Sequence, residues 1–331
     1  MGQQTTWDGI PIASDPPPGS AIVVRRADPQ GAQYLLLHRA EHGPDHAGDW
    51  AWTAPSGARQ PGEPVYPAAL RKLAEETGIR EVRPWPLDLS DPSWAVWGLD
   101  LGAGTQVRLV DVEHDRFVWR NADAAAQLIL PCWVAEQQIG RSRGVPFCSL
   151  AFRRMSEDDV PSVIRWQQSA HAAPWFGSSS PDLTSAIARY RPRLDGTEPV
   201  RMWVVQVDGR PAGYLQDYRL GDRPDAARYG DPNAAGFDYL LGEPDLIQHG
   251  VGTRMVWEFC RDVLHRDYPD AAHFVAAPNH RNHRSRRVLA KCGFTEGLWI
   301  DEPAPPGEPP ETEVVCSLDV AHWLGPAVRR D

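Results

Sequence analysis

"GARQPGEPVYPAALRKLAEETGI", residues 57–79, decides the first half of the chain. A Gly/Pro-rich loop gives way near Pro64 to Ala68, Ala69, Leu70 and Leu73, apolar positions at helical spacing, and the run closes on Thr77-Gly78. Lys72, Glu75 and Glu76 fall at i, i+3 and i+4, so a helix here presents all three on one face. Carboxylates converging from such a face bind Mg²⁺, a hard cation that wants oxygen ligands and neutralises diphosphate charge. Lys72 works against that chemistry. A protonated lysine cannot ligate the ion, and it can pair with Glu76 at i+4.

Outward from this helix, two β-branched-rich runs flank Asp28-Pro29-Gln30-Gly31 upstream, the pattern of a hairpin. Downstream, "VRLVDVE" (residues 107–113) and "FVWR" read as strands and "ADAAAQLIL" as a short helix. Around residues 137–146 periodicity lapses into Gly, Arg, Ser and Pro, which marks a join. The second half restarts with a strand at "FCSLAFRRM" and a capping box at Ser156-Glu157-Asp158-Asp159 that opens a helix ending near Trp166. A hairpin turns at Asp208-Gly209. Then come a strand at "AGFDYLLG", a glycine-led helix at "GVGTRMVWEFCRDVL", a strand at "AHFVAA", a helix at "HRSRRVLAKCGF" closed by Gly293, and a last strand at "ETEVVCSLDV". Helices and strands alternating around mixed sheets predict an α+β class of α/β/α sandwich type for both halves. The expected organisation is an extension over 1–17, a first domain over 18–138, a linker over 139–147 and a second domain over 148–331.

A length of 331 residues allows two domains with separate cores, and 42% apolar with 24% charged residues excludes a disordered or fibrous chain. No apolar run reaches the length of a membrane helix and no charged-then-apolar leader opens the sequence, so a cytoplasmic protein without a membrane partner is expected. The five cysteines, Cys132, Cys148, Cys260, Cys292 and Cys316, are scattered without CxxC spacing and read as thiols of a reducing compartment. A net charge of -10 argues against nucleic acid as a partner and suits cationic substrates. The sequence does not give the oligomeric state.

Gly57, Glu63, Arg71, Leu73, Glu75, Glu76, Gly78 and Ile79 stand at the spacing of the Nudix signature, and residues 18–136 resemble a Nudix hydrolase. The resemblance implies a Nudix fold and a Mg²⁺ site on Glu75 and Glu76, with Arg71 orienting the acids. At position 72 the family places an acid that binds metal and can activate water. Lys72 there implies a degenerate domain with weak or lost hydrolysis, for which Glu113 is a candidate substitute ligand.

Gly250 and Gly252 precede a helix start, and Asn282 is followed by Lys291-x-Gly293-Phe294, so the second half resembles a GNAT acetyltransferase. Glycines let a backbone approach phosphate, and the free N–H groups of a helix start bind the anion. The resemblance implies acetyl-CoA as cosubstrate, its pyrophosphate held across Gln248, His249, Gly250, Val251, Gly252 and Thr253, with Asn282 nearby. Arg284, Arg286 and Arg287 are equal candidates for a further phosphate contact. Within the family, Trp175-Phe176-Gly177, "AGYLQDY" (212–218) and "DPNAAGFD" (231–238) resemble the aminoglycoside 6'-N-acetyltransferases. That likeness puts the catalytic base on Asp238 and an oxyanion-stabilising N–H near Leu240. Trp175, Phe176, Tyr218, Asp222 and Asp225 become candidates for binding a small cationic amine. Two departures stand out: Leu289 occupies the usual tyrosine position, and Ala277 replaces an acid that some members carry.

The expected function is therefore an N-acetyltransferase acting on a polyamino compound, an aminoglycoside first, with a siderophore precursor or a protein N-terminus as alternative acceptors. The competing class is an active Nudix hydrolase of nucleoside diphosphate derivatives or dinucleoside polyphosphates, or a nucleotide-sensing module.

Overall fold

The computed structural model describes residues 4–6, 9–41, 43–102, 104–176, 182–302 and 311–327. The chain divides into two compact units, one built on the residues through Phe147 together with Ala321–Gly325, the other on Cys148–Val320. Both are mixed sheets with helices, an α+β architecture.

The first unit is organised around β1 (Gly19–Asp28), whose first seven residues are all buried. Such unbroken burial needs cover on both faces. β1 pairs antiparallel with β2 (Gly31–Arg39) through the expected turn, and with β4 (Ser56–Ala58); β3 (Trp52–Thr53) lies on β2. The helix α1 (Val65–Thr77) packs on β1 and β4, buries Ala68, Ala69 and Leu73, and ends at Gly78, whose φ of 68° is the left-handed cap that glycine accepts without strain. Besides the short β3 and β4, the periodicity did not show β5 (Trp85–Asp88) and β6 (Ala95–Leu101), the latter running parallel to β1. They read poorly because β6 is buried almost throughout and shows no alternation.

The expected strand over residues 107–113 is absent, and β7 begins only at His114, running to Asn121 on β2. Val110 and Val112 are 61% and 84% exposed, so the apolar pattern there has no core to enter. The backbone is engaged elsewhere: the Arg108 N–H donates to the Thr77 carbonyl at 3.0 Å and the Val110 N–H to the Glu76 carbonyl at 3.4 Å, meeting open carbonyls at the end of α1. The short helices α2 (Ala122–Leu128) and α3 (Cys132–Ala135) follow.

In the second unit β8 (Leu150–Arg154) leads to the Ser156/Asp159 capping box and α4 (Val160–Gln167). The helix α5 (Leu183–Leu194), not anticipated, precedes β9 (Arg201–Val207). β9 joins β10 (Arg210–Arg219) through Asp208 and Gly209, at φ 50° and 80°, the twin positive values of a tight hairpin turn. β11 (Ala235–Leu241) is followed by α6 (Val251–Phe259), which continues through a wide turn over Cys260–Leu264 into α7 (His265–Asp267). β12 (His273–Ala276), α8 (His283–Lys291), β13 (Thr295–Glu302) and β14 (Glu311–Asp319) complete the unit. β13 was also not anticipated. The sheet order is β13-β14-β12-β11-β10-β9-β8, and β11–β12 is the parallel pair.

Cys260, Cys292 and Cys316 are buried free thiols, Cys148 is half-buried and Cys132 exposed. Among the described residues no helix is long and apolar enough to cross a membrane.

Candidate functional site

β11 pairs with β10 along its whole length, from Ala235 to Leu241, but with β12 only at Ala235 and Gly236. β12 stops at Ala276, and Pro278, just beyond, has no N–H with which to extend the ladder. The two parallel strands therefore part, and the gap is a cleft of about 660 Å³ within the second unit. Gly242 donates its N–H to the Ala212 carbonyl on the β10 side. Because N–H groups alternate along a strand, those of Leu240 and Asp238 face β10, and those of Tyr239 and Leu241 face the opening. The Leu241 carbonyl agrees, accepting from His171 Nε2 at 2.9 Å. The open N–H groups thus flank Leu240, whose side chain lines the cleft.

One end of the cleft is built for an anion. Gln248 (φ 69°) and Gly250 (φ 79°) turn the chain sharply into α6, and no side chain caps that helix start. The first-turn N–H groups are thus left to a ligand. A Cβ on Gly252 would meet only Val288 and Leu241 side chains at 3.9 and 4.0 Å, so the protein's own packing does not demand a glycine there. Gln248, Gly250, Gly252, Thr253 and Asn282 line the cleft; His249 and Val251 do not, Val251 being buried beneath and His249 exposed. Asn282 caps α8 by accepting from the Ser285 N–H at 3.1 Å. Of the three arginines left open by sequence, Arg284 and Arg287 line the cleft with Lys291, while Arg286 is held by Glu296 at 2.7 Å.

Asp238 lines the same cleft. Gln216 Nε2 donates to its Oδ2 at 2.6 Å, Arg193 Nη1 donates to Gln216 Oε1 at 2.9 Å, and Glu198 holds Arg193 at 3.1 Å. Burial pushes the Asp238 carboxyl above the usual carboxylate range, although the Gln216 amide, Arg223, Arg193 and the Tyr218 hydroxyl all pull it down. Trp175, 38% exposed, and Phe176 line the cleft. Tyr218 packs in the core beneath Asp238 and its hydroxyl is raised by burial. Asp222 and Asp225 are not lining residues; Arg223 binds Asp225 at 2.5 Å and holds its carboxyl below the ordinary range. Gly177 lies outside the described residues.

Sequence reasoning missed Gln216, Arg193, Glu311 and Glu313. The two glutamates enter the cleft from β14, and Tyr229 donates its hydroxyl to Glu313, whose carboxyl burial raises. Only the register of β14, a strand remote in sequence from Asp238, brings them there. Ala277 lines the cleft as a small apolar residue, and Leu289 is fully buried in the core.

In the first unit Arg71 grips Glu63 with two bonds of 2.7 Å and Glu75 at 3.0 Å. Lys72 Nζ lies 3.5 Å from Glu75, so its ion pair is with the i+3 acid and not with Glu76. Its aliphatic stem packs over Gly57, where a Cβ would meet Lys72 Cε at 2.4 Å. Glu75 is 45% exposed on the side chain, whereas Glu76 is buried and accepts from the Ser56 N–H at 3.0 Å. Burial, with Asp111 and Glu113 nearby, raises the Glu76 carboxyl well above the ordinary range, against the pull of the Ser56 N–H and Lys72.

Residues 155–301 match the family model described as Acetyltransferase (GNAT) domain, and residues 16–146 match the NUDIX domain model. The Aminoglycoside N(6')-acetyltransferase type 1 proteins of Klebsiella pneumoniae and Serratia marcescens are each 27% identical to the chain over 162 residues, 48% of this chain and 80% of theirs. Among solved structures, aminoglycoside acetyltransferase AAC(6')-Ib in complex with coenzyme A is 25% identical, with a TM-score of 0.46, covering 52% of this chain and 95% of that one. The aminoglycoside N(6')acetyltransferase from Legionella pneumophila is 20% identical, with a TM-score of 0.41, covering 52% and 92%. The chain thus joins a Nudix domain to a GNAT acetyltransferase domain, and the second makes it an acyltransferase.

Proposed function

We propose that the second domain moves the acetyl group of acetyl-CoA onto a primary amine of a small polycationic acceptor, an aminoglycoside in the first instance. One observation carries this reading: a single cleft of about 660 Å³ joins an uncapped helix start to a carboxylate with a raised pKa. The names of the 27%-identical relatives support the acceptor class. Acetyl-CoA supplies an activated thioester, and the N–H groups at the start of α6, with Arg284 and Arg287, suit its phosphates.

Asp238 takes a proton from the acceptor's ammonium, directly or through one water, and frees the nitrogen lone pair to form the C–N bond as the C–S bond breaks. The open N–H groups of Tyr239 and Leu241 polarise the carbonyl being attacked. The newly acylated nitrogen gives up its second proton to water, and the departing thiolate takes one back from water, because Leu289 offers none. Glu311 and Glu313 do the work that Ala277 cannot, holding the acceptor's other ammonium groups. Incubation with acetyl-CoA and a panel of amines, read by thiol release, tests the reading. It stands if aminoglycosides turn over well above lysine, N-hydroxylysine-type siderophore precursors and peptide N-termini, and it falls if none of the panel does.

For the first domain we infer weak or lost Mg²⁺-dependent hydrolysis. Lys72 supplies a cation where the fold's signature needs an acid, and Glu75 is spent on Arg71 and Lys72. Robust turnover of dinucleoside polyphosphates by the purified protein, abolished by Glu76→Gln, would instead favour the hydrolase or nucleotide-sensing alternative.

A further inference from the structure

We propose that the second domain's acceptor carries an acidic group, carboxylate or phosphate, besides its ammonium groups, and that Arg189 reads it. The inference rests on the acetyltransferase reading above and narrows its acceptor class to an amphoteric amine, a polyamine bearing one acid substituent.

The helix α5 carries three arginines along its second half, and their surroundings differ. Arg191 is held by Glu157 and Arg193 by Glu198, each at 3.1 Å. Arg189 has no ion pair among the described residues; its guanidinium carbon lies 6.0 Å from the centroid of the Tyr190 ring. Arg189 and Arg193 stand at i and i+4 and so share a helix face, and both line the cleft. Arg193 spends its charge on Glu198 and on Gln216, the amide that holds Asp238. Arg189, which is exposed, brings an uncompensated cation to the same cleft. Its charge reaches the groups around the base. Burial raises the Tyr214 hydroxyl above its ordinary range; Tyr190 and Asp238 add to the rise, while the Gln167 amide and Arg189 oppose it. One cleft-lining phenol thus feels both Asp238 and Arg189. A purely cationic acceptor is drawn by Asp238, Glu311 and Glu313 but repelled by Arg189. An acidic substituent turns that repulsion into charge-assisted hydrogen bonds, because the planar guanidinium fork fits carboxylate and phosphate oxygens alike. The cleft's Arg284, Arg287 and Lys291 stand on α8, with the phosphate site described above; Arg189 stands on α5, the helix whose Arg193 supports Asp238.

The test assays full-length protein by thiol release with two matched pairs, kanamycin against kanamycin 3'-phosphate and cadaverine against lysine, each differing by one acidic group. We expect kcat/KM about 10-fold higher for the acidic member of one pair, and which pair responds identifies the anion as phosphate or carboxylate. Arg189→Gln should erase that preference through KM, with kcat and use of the acid-free member nearly unchanged. Arg189→Lys should restore part of it. Calorimetry of the same pairs with CoA present reads acceptor affinity apart from turnover. An affinity preference for an acidic member, lost in Arg189→Gln, without thiol release from any amine supports the Arg189 site and counts against acetyl transfer alone. The inference is overturned if neither acidic member is preferred in rate or affinity. It is equally overturned if Arg189→Gln weakens both members of a pair alike, or if it weakens acetyl-CoA binding instead.

Discussion

Glu76 in the first domain is buried and Asp238 in the second is half-buried, and desolvation raises both carboxyls. Their surroundings separate them. Asp238 opens onto a cleft and is held by an amide that is itself held by Arg193 and Glu198. Glu76 has one backbone donor and one unpartnered oxygen. A raised carboxyl becomes a base only where a substrate can reach it and where neighbours fix its direction; elsewhere the same shift marks an incomplete charge set.

The largest expected effect lies at Asp238. Asp238→Asn should cut the acetylation rate by roughly 10²–10⁴-fold near neutral pH and recover part of that at higher pH, where the acceptor amine deprotonates unaided. In wild-type protein the ionised carboxylate is the working form, so kcat/KM should fall as pH drops through its raised pKa, above the usual carboxylate value of about 3.9. A wild-type rate in Asp238→Asn across the whole pH range would remove Asp238 from the mechanism.

Gln216→Leu should cost about 2 kcal/mol of transition-state stabilisation, a roughly 30-fold loss, because it deletes a hydrogen bond to a charged group. The Gln216 amide pulls the Asp238 pKa down, so its loss should move the acid limb to still higher pH. A rate loss with an unmoved limb would make Gln216 merely structural. Gly252→Val should weaken acetyl-CoA binding by about 10-fold, ~1.4 kcal/mol, with thermal stability nearly preserved, since a Cβ there meets Val288 and Leu241 only at ordinary van der Waals distance. Calorimetry separates this from the Asp238→Asn change, which should leave acetyl-CoA affinity alone. The smallest effect is expected in the first domain: Lys72→Glu should raise Mg²⁺-dependent pyrophosphate hydrolysis only a few-fold, because Glu75 remains tied to Arg71. A rise to rates typical of efficient enzymes would show that Lys72 alone silences the site.

Local chemistry already stood in the sequence. Helical spacing and Gly78 delimited α1, paired turn residues set both hairpins, Ser156 and Asp159 opened a helix, and Gly250 with Gly252 led another. These signals act within a few residues, where backbone sterics and capping hydrogen bonds decide the outcome. The sequence also exposed the lysine at position 72 as the residue out of keeping with its neighbours. What it could not show depends on partners far away along the chain. The run over 107–113 looked like a strand, but the open carbonyls of α1 claimed its N–H groups. Asp222 and Asp225 looked like acceptor ligands, yet Arg223 took one and the cleft excluded both. Glu311, Glu313 and the Gln216–Arg193 relay meet Asp238 only through the strand order around β11. Which hydrogen bonds and charges find one another over such distances is settled by packing, and packing belongs to the tertiary structure.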